Sequence, residues 1–260
     1  MDTQQLTQIC QDLNIPFHQH FSEIGSTNDV AIGWVNQDYP QYSLALAGAQ
    51  TKGRGRYDRR WITIPGASIA MSFIVHPHGA EREKLGLFPL LSGLAVCAAL
   101  ETAASLPASV KWPNDILLAG KKTAGILVES IWQGDQLKGL VVGIGINILP
   151  ESIPRDLELL FPATCVQDHT ELNVDPLTII QEIIRSFKSL RVDFTSPSFI
   201  DHYTQNLAYL NQPVELQTGP DKTETGTLHG IHPDGSLLLK SPDGAIKKFP
   251  IGDLRLRPQT

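Results

Sequence analysis

Residues 50–61 read Gln50-Thr51-Lys52-Gly53-Arg54-Gly55-Arg56-Tyr57-Asp58-Arg59-Arg60-Trp61, and they lie between two apolar segments. Four of these residues are arginines, and two glycines alternate with the first two arginines. Arginine presents a planar set of donors that fits carboxylate and phosphate groups, and glycine lets a backbone approach a ligand closely. The segment therefore predicts a flexible loop that folds over a small anion. A solvated turn and a contact with single-stranded nucleic acid are the alternatives.

The two segments that flank this loop, 43–49 and 67–75, consist of small and apolar residues and predict two buried strands. A long loop between two strands is more often a functional insertion than a tight turn. Further helices are expected where apolar residues recur at helical spacing, and residues 83–104 predict one long core helix. The other predicted helices cover 6–13, 176–194 and 198–210, and a further one follows residues 26–28.

Composition limits the classes of partner. The chain has 260 residues, with 21 Lys and Arg against 27 Asp and Glu, and this acidity argues against a nucleic-acid partner. The three cysteines are far apart, which predicts neither disulfides nor a zinc site. The N-terminus lacks a basic start, and the most apolar run, 85–100, is short and interrupted, so we expect no signal peptide and no membrane partner. A cytoplasmic location is the resulting expectation.

The pattern changes to strict alternation after Pro213. Asp234-Gly235 and Asp243-Gly244 separate alternating segments, and Asp-Gly in that position is a strong hairpin signal. Residues 212–260 therefore predict a small closed β-barrel, and residues 1–211 a larger domain. The predicted strands of the small domain are 214–217, 223–231, 236–240, 246–250 and 254–256.

Three other segments carry polar or glycine-rich motifs. Residues 26–28 lie where a predicted strand turns into a helix, and they are either a simple cap or donors to a polar ligand. Residues 110–129 predict a hairpin that places four polar residues near one another, with an ordinary surface hairpin as the alternative. Residues 143–147 end a strand with two glycines, but their spacing excludes a dinucleotide-binding fingerprint. The four polar residues of the hairpin are Lys111, Asn114, Asp115 and Lys122.

Together these motifs resemble the biotin protein ligases (biotin–[acetyl-CoA-carboxylase] ligases). Five motifs occur in the order and at the approximate spacing of that family, over essentially the whole chain. Each motif alone is weak evidence for the family, but the five in the same order and at similar spacing are specific to it. They are Ser26-Thr27-Asn28, Gly53-Arg54-Gly55-Arg56 with Arg59 and Trp61, Lys111-Trp112-Pro113-Asn114-Asp115, Lys122 with Gly125 to Glu129, and Gly143-Ile144-Gly145-Ile146-Asn147.

The resemblance implies an α+β fold. It consists of a mixed β-sheet flanked by helices, related to the class II synthetases, over residues 1–211, and a small SH3-like β-barrel over residues 212–260. Two departures are visible. Asp58 stands close to where the family's loop commonly has glycine, which bears on how the loop closes. The residues before Phe17 are too few for a winged-helix DNA-binding domain, so the resemblance is to the short, non-regulatory class.

The resemblance also implies a reaction in two steps. A biotin carboxylate attacks the α-phosphate of ATP to give biotinyl-5'-adenylate and pyrophosphate, with Mg²⁺ as cofactor. A lysine of the biotin carboxyl carrier protein of acetyl-CoA carboxylase then attacks this anhydride and releases AMP. A homodimer is compatible with the resemblance. Lipoate or octanoate ligases of the same fold, and a non-catalytic biotin or nucleotide sensor, are the rival interpretations.

The resemblance assigns roles to particular residues, with Asn114 and Asp115 as the candidate Mg²⁺ ligands. The implied catalytic residues are Lys122, Arg56 and Lys111. The implied biotin-binding residues are Ser26, Thr27, Asn28, Gln50, Gly53, Arg54, Gly55, Arg56, Lys122, Gly125 and Gly143. The implied ATP-binding residues are Arg54, Arg56, Arg59, Trp61, Lys111, Asn114 and Asn147.

Overall fold

The protein is built on a seven-stranded mixed sheet. The computed structural model describes residues 2–154, 159, 161–219, 222–250 and 255–258. The strands of the large sheet are β1 His18–Ile24, β2 Leu44–Gln50, β3 Ser68–Val75, β4 Ser109–Lys111, β5 Asp115–Leu118, β6 Lys121–Gln133 and β7 Gln136–Asn147. Their order is β1-β2-β3-β7-β6-β5-β4, in which β1 and β2 are parallel and the other neighbours antiparallel. The predicted mixed sheet is confirmed.

Helices cover both faces of this sheet. The helices are α1 Thr3–Asp12, α2 Thr27–Asn36, α3 Phe88–Ala104, α4 Pro176–Arg191 and α5 Pro197–Gln205. On one face, the long apolar α3 and the amphipathic α4 enclose the main core, where the rings of Phe73 and Phe187 meet edge to face at 4.9 Å. On the other face, α2 packs against Ala45, Ile74 and Val141. Successive residues of a strand thus point to opposite faces of the sheet and enter the two cores in turn.

The predicted helix over 83–104 begins later than expected. Residues 79–83 and 85–87 form short 3-10 turns, and the regular helix starts at Phe88. Pro89 explains the difference, because proline lacks a backbone N–H and fits only the first turn of a helix. The segment Leu85–Ala104 is long and apolar enough to cross a membrane, but 72% of its apolar window is buried inside the protein. This burial is what a core helix shows.

The C-terminal segment forms a second, antiparallel sheet. Its strands are β8 Pro213–Gln217, β9 Thr223–Ile231, β10 Leu237–Lys240, β11 Ile246–Phe249 and β12 Arg255–Pro258, in the order β11-β10-β9-β8-β12. The alternation therefore predicted the strands, although Leu254, where the last one was expected to start, lies outside the described residues. The predicted closed barrel is not found, because β11 and β12 are opposite edges that do not pair within the described part of the chain. Alternation and turn signals specify hairpins, whereas closure depends on which edges meet.

The small sheet is attached directly to one of the sequence motifs. The indole of Trp112 is buried, and its Nε1 donates a 3.0 Å hydrogen bond to the carbonyl of Gly235, in the turn between β9 and β10. Val110 N also donates to Asn206 O at 2.8 Å. These contacts fix the β4–β5 segment against the C-terminal region. The domain boundary at residues 211–212 stays a prediction.

Candidate active site

A cavity of about 380 Å³ brings the separated motifs together. It lies on the α2 face of the large sheet, between the start of α2, the loop over residues 51–66, and strands β4 to β7. Every site residue predicted from the sequence lines it except Gly53. A Cβ atom at Gly53 would overlap the carbonyl of Trp61, so this glycine serves the close packing of the loop on itself.

One end of the cavity, which we call the polar end, is formed by Ser26, Thr27, Asn28 and Gln50. The backbone N–H of Thr27 donates to Gln50 Oε1 at 2.8 Å, and the Thr27 hydroxyl donates to the same oxygen at 3.1 Å. Ser26 is the N-cap of α2 by position, yet its side chain makes no capping hydrogen bond to the described residues. The interpretation of this turn as a simple cap is therefore not supported for Ser26.

The Asn28 side chain lies across the sheet above Gly143. Its Oδ1 accepts a 2.6 Å hydrogen bond from Ser72 Oγ, and its Nδ2 donates to Glu129 Oε2 at 2.5 Å. A Cβ atom at Gly143 would overlap the Asn28 amide. Gly143 therefore lines the cavity and also makes room for the Asn28 side chain. Ser72 is fully buried and was missed by the sequence analysis, because a serine inside an apolar strand carries no motif.

Two further glycines support the indole of Trp61. Gly125 and Gly145 face each other across β6 and β7. A Cβ at Gly125 would be 3.1 Å from the Trp61 ring, and a Cβ at Gly145 would overlap it. The Trp61 indole thus packs directly against the backbone of Gly125 and Gly145, where a larger residue would collide with it.

The other end of the cavity, the cationic end, is organised around Asp115. Lys122 Nζ lies 2.5 Å from Asp115 Oδ1, and Lys111 Nζ lies 3.3 Å from Asp115 Oδ2. Burial raises the pKa of the Asp115 carboxyl, but the charges and hydrogen bonds of the two lysines outweigh this and lower its pKa overall. Asp115 is therefore ionised, and it holds both lysine ammonium groups at the cavity wall.

Asn114 and Arg56 complete the cationic end. Asn114 Nδ2 donates to Ile126 O at 2.9 Å, which fixes the amide so that Oδ1 accepts from Arg56 Nη1 at 3.3 Å. The Arg56 guanidinium also lies 4.8 Å from the centre of the Tyr57 ring and donates to the Tyr57 hydroxyl. The four hairpin residues that were predicted to lie near one another line one cavity, and Arg56 of the arginine loop lines it as well.

The predicted magnesium ligands fit a metal ion poorly. Mg²⁺ requires free oxygen ligands in octahedral geometry, whereas both Asp115 oxygens contact ammonium groups and Asn114 Oδ1 accepts from a guanidinium. No group of three or more His, Cys, Asp or Glu side chains that could hold a metal occurs among the described residues. The donor set of this end suits an anion, and we assign no protein-held metal to it.

Arg54 is arranged differently from Arg56, although both were predicted to bind substrate. Its Nη1 lies 2.6 Å from Asp29 Oδ1, and its Nη2 lies 3.2 Å from both carboxylate oxygens of Glu129. Burial lowers the pKa of the Arg54 guanidinium, and the two carboxylates more than offset this, so its pKa is raised. In this conformation Arg54 ties the loop to α2 and β6.

The wall opposite the arginine loop was not predicted. Residues 152–163 contribute five lining positions, at Ser152, Pro154, Leu159, Phe161 and Ala163. The Phe161 ring lies 4.7 Å from Lys111 Nζ. Lys122 N donates to Pro162 O at 2.8 Å, so this segment also fixes the backbone of Lys122. From its proline and acidic residues, the sequence predicts irregular structure with a short helix over residues 150–173.

Asn147 joins the same wall to β7. Its Nδ2 donates to the carbonyl of Thr164 at 3.2 Å, and its side chain is 7% exposed. The amide nitrogen of Asn147 is therefore engaged in holding the wall, while the residue still lines the cavity.

Comparison with known proteins agrees with this geometry. The profile of the Biotin/lipoate A/B protein ligase family matches residues 21–147, and that of the Biotin protein ligase C terminal domain matches residues 209–257. The Bifunctional ligase/repressor BirA of Bacillus spizizenii is 34% identical over 240 residues, which cover 90% of this chain and 72% of that protein. The chain belongs to the biotin protein ligase family. It is therefore an enzyme of the ligase class.

Other members of the biotin protein ligase family support the assignment. The Biotin–[acetyl-CoA-carboxylase] ligase of Paracoccus denitrificans is 31% identical over 205 residues, which cover 76% of this chain and 84% of that protein. The solved biotin protein ligase of Aquifex aeolicus in complex with biotin and ATP superimposes with a TM-score of 0.80 at 29% identity. The superposition covers 94% of this chain and all of that one. The mixed sheet with flanking helices and the small C-terminal sheet that the resemblance implies are confirmed.

Proposed function

We propose that this ligase attaches biotin to a specific lysine on the biotin carboxyl carrier domain of acetyl-CoA carboxylase. The observation that carries the proposal is a single cavity that joins a polar end to a cationic end. Such a cavity suits a reaction in which a neutral ring must be held while a carboxylate approaches a polyphosphate. The Paracoccus relative is named for this carrier, and the Aquifex structure contains biotin and ATP.

In the first step, a biotin carboxylate oxygen bonds to the α-phosphorus of ATP. The bond from that phosphorus to the bridging oxygen breaks, and pyrophosphate leaves with the electron pair. Two anions must meet, so fixed cations lower the barrier. Arg56, Lys111 and Lys122 supply them, and Lys122 bridges the carboxylate and the α-phosphate. Arg59, Trp61, Asn114 and Asn147 complete the proposed ATP site.

In the second step, the carrier lysine amine attacks the acyl carbon of biotinyl-5'-adenylate. An amide bond forms, the bond to the phosphate oxygen breaks, AMP leaves and the amine loses a proton. The charge that returns to the phosphate lies again beside Lys122. Because the anhydride reacts with water, a closed arginine loop protects it.

Lipoate is the rival substrate within the wider family. The polar end favours biotin, because its ring ureido group needs hydrogen-bond partners that Ser26, Thr27 and Gln50 provide. A lipoyl or octanoyl chain offers no hydrogen-bonding group to this end of the cavity, so Thr27 and Gln50 would keep only contacts within the protein, such as the two that join them.

The proposal is tested by ATP-dependent pyrophosphate release with biotin or lipoate. We expect pyrophosphate release with ATP and biotin but not with ATP and lipoate. We expect Arg56→Ala to reduce the release at least about tenfold, because it removes a charge-assisted contact to the reacting groups. Arg185→Ala is the control, since Arg185 lies exposed on α4 and pairs with Glu182. Pyrophosphate release with lipoate instead of biotin would contradict the proposed substrate. Biotin binding without pyrophosphate release would favour a non-catalytic sensor.

The packing of Gly145 against the Trp61 indole gives a second prediction. Gly145→Ala places a methyl group against the Trp61 indole, so the ring must shift and the proposed ATP site loses its shape. Overpacking costs about 1–3 kcal/mol, and we expect the KM for ATP to rise about tenfold. Gly33→Ala on α2 is the control, because nothing lies within 4 Å of its Cβ position. An unchanged KM for ATP would exclude a role for Trp61 at this position.

Other expectations from the sequence stay predictions. They are the homodimer, the cytoplasmic location, the lack of nucleic-acid and membrane partners, and the need for Mg²⁺.

A further inference from the structure

Three polar side chains form a group behind the cavity, and the mechanism above gives them no role. The Thr164 hydroxyl oxygen lies 2.8 Å from His169 Nε2 and 3.4 Å from Asp168 Oδ2. Thr164 is buried, and all three residues lie outside the cavity lining. The group is nevertheless adjacent to the site, because Ala163, the residue before Thr164, lines the cavity.

The backbone of Thr164 contacts two residues of the proposed site. Its N–H donates to the carbonyl of Lys122 at 2.9 Å, and its own carbonyl accepts from Asn147 Nδ2 at 3.2 Å. Lys122 lies at the start of β6, and Asn147 is the last residue of β7. One residue behind the wall thus joins the lysine proposed at the reacting groups to the amide proposed at the nucleotide.

The peptide groups on either side of Thr164 hold the same two residues. Lys122 N donates to Pro162 O at 2.8 Å, and Val166 N donates to Asn147 O at 3.0 Å. Residues 162–166 therefore cross from the start of β6 to the end of β7. Because Thr164 lies in the middle of this crossing, a displacement of its backbone would move Lys122 and Asn147 together.

The chemistry of the three side chains fixes the direction of their hydrogen bonds. An ionised carboxylate accepts and cannot donate, so the Thr164 hydroxyl donates its hydrogen to Asp168. The hydroxyl oxygen must then accept from His169, and His169 Nε2 carries the hydrogen. The Thr164 side chain is therefore held from two sides, and His169 makes the shorter of the two contacts.

We propose that His169 is a positioning residue for the ligase reaction and that it acts through Thr164. This inference rests on the function proposed above, which assigns the roles of Lys122 and Asn147. The bond from His169 keeps Thr164 in one conformation, and the Thr164 backbone then keeps Lys122 and the Asn147 amide in place. Because Asn147 Nδ2 is bound to Thr164, the amide cannot reverse without losing this bond, and it offers its oxygen to a donor such as the 6-amino group of adenine.

Two pairs of variants separate the hydrogen bond from the shape of the side chain. His169→Leu removes the donor, whereas His169→Gln supplies an amide N–H in place of Nε2–H. Thr164→Val keeps the shape of threonine without its hydroxyl, and Thr164→Ser keeps the hydroxyl. His229→Leu is the matched control, because His229 is exposed on β9 and lies outside the cavity lining.

The experiment measures biotin-dependent pyrophosphate release and equilibrium nucleotide binding, with ATP and with inosine triphosphate, which has an oxygen in place of the 6-amino group. We expect His169→Leu and Thr164→Val to lower kcat about tenfold, between the loss of one neutral hydrogen bond and a displacement of a reacting group by about 1 Å. We expect their preference for ATP over inosine triphosphate to fall about fivefold, as for one neutral hydrogen bond. His169→Gln, Thr164→Ser and the control should stay within about threefold of the wild type.

Several results would contradict the positioning role. One is a wild-type kcat and nucleotide preference in both His169→Leu and Thr164→Val, or a loss confined to their midpoints of urea unfolding. Another is multiplication of the two losses in the double variant, since a bond that the two residues share can be lost only once. A wild type that binds ATP in preference to inosine triphosphate but releases no pyrophosphate would contradict the proposed function, and the binding preference of the variants would still test the positioning role.

Discussion

Lys122→Ala is expected to lower biotin-dependent pyrophosphate release by about 10²–10³-fold, the effect of removing one fixed group that stabilises developing charge. The Lys122 ammonium lies at the cavity wall, 2.5 Å from Asp115 Oδ1, and its backbone is fixed by Pro162. It is therefore held in place before the substrates arrive. The loss should fall mainly on kcat, because the bridging contact is strongest when carboxylate and phosphate approach each other.

Lys121→Ala is the matched control for this prediction. Lys121 precedes Lys122 in β6 and is exposed, so its loss changes the net charge equally but leaves the cavity unchanged. We expect near wild-type release from it, measured as initial rates at saturating biotin and ATP. If Lys122→Ala raised only the KM values and kept kcat, then Lys122 would bind the substrates without stabilising the transition state.

The site was predictable where chemistry demands particular residue types at fixed spacing. The loop glycines and arginines, the hairpin lysines and the residues 26–28 carry such signals, and the structure brings all of them except Gly53 to one cavity. The strands that hold them were predictable from alternation and from apolar runs. The pairing of Leu127 with Gly143 fixes the register of β6 against β7, and this register decides which of their residues face the cavity.

Features that depend on long-range contacts were not predictable. The hydroxyl of Ser72 contributes to the site only because the Asn28 side chain lies over Gly143 and accepts its hydrogen bond. The wall around Phe161 is held by two hydrogen bonds to Lys122 and two to Asn147, and such contacts leave no pattern in the sequence. The engagement of Arg54 by two carboxylates likewise depends on how α2 and β6 lie beside the loop. Composition identifies the cations of a site but not which of them are already paired.

Asp115→Asn is expected to destabilise the protein by about 3 kcal/mol, the lower end of the cost of breaking a buried ion pair. Asp115 holds Lys111, whose side chain is 7% exposed, and Lys122. Asparagine would remove the carboxylate charge that both ammonium groups contact. Unfolding in urea, without ATP or metal, measures the loss. Glu224→Gln is the control, because its partners Lys222 and Lys247 are exposed, and little change is expected there.

The pH dependence distinguishes this role from metal binding. Since the folded pKa of Asp115 is lower than the ordinary aspartate pKa of 3.8, its carboxylate stabilises the protein fully above about pH 4. The stabilisation is lost as pH falls through the folded pKa. The difference in unfolding free energy between wild type and Asp115→Asn should therefore be constant near neutrality and shrink on acidification. A magnesium ligand predicts the opposite: equal stability without metal, and a higher magnesium requirement for pyrophosphate release in the variant.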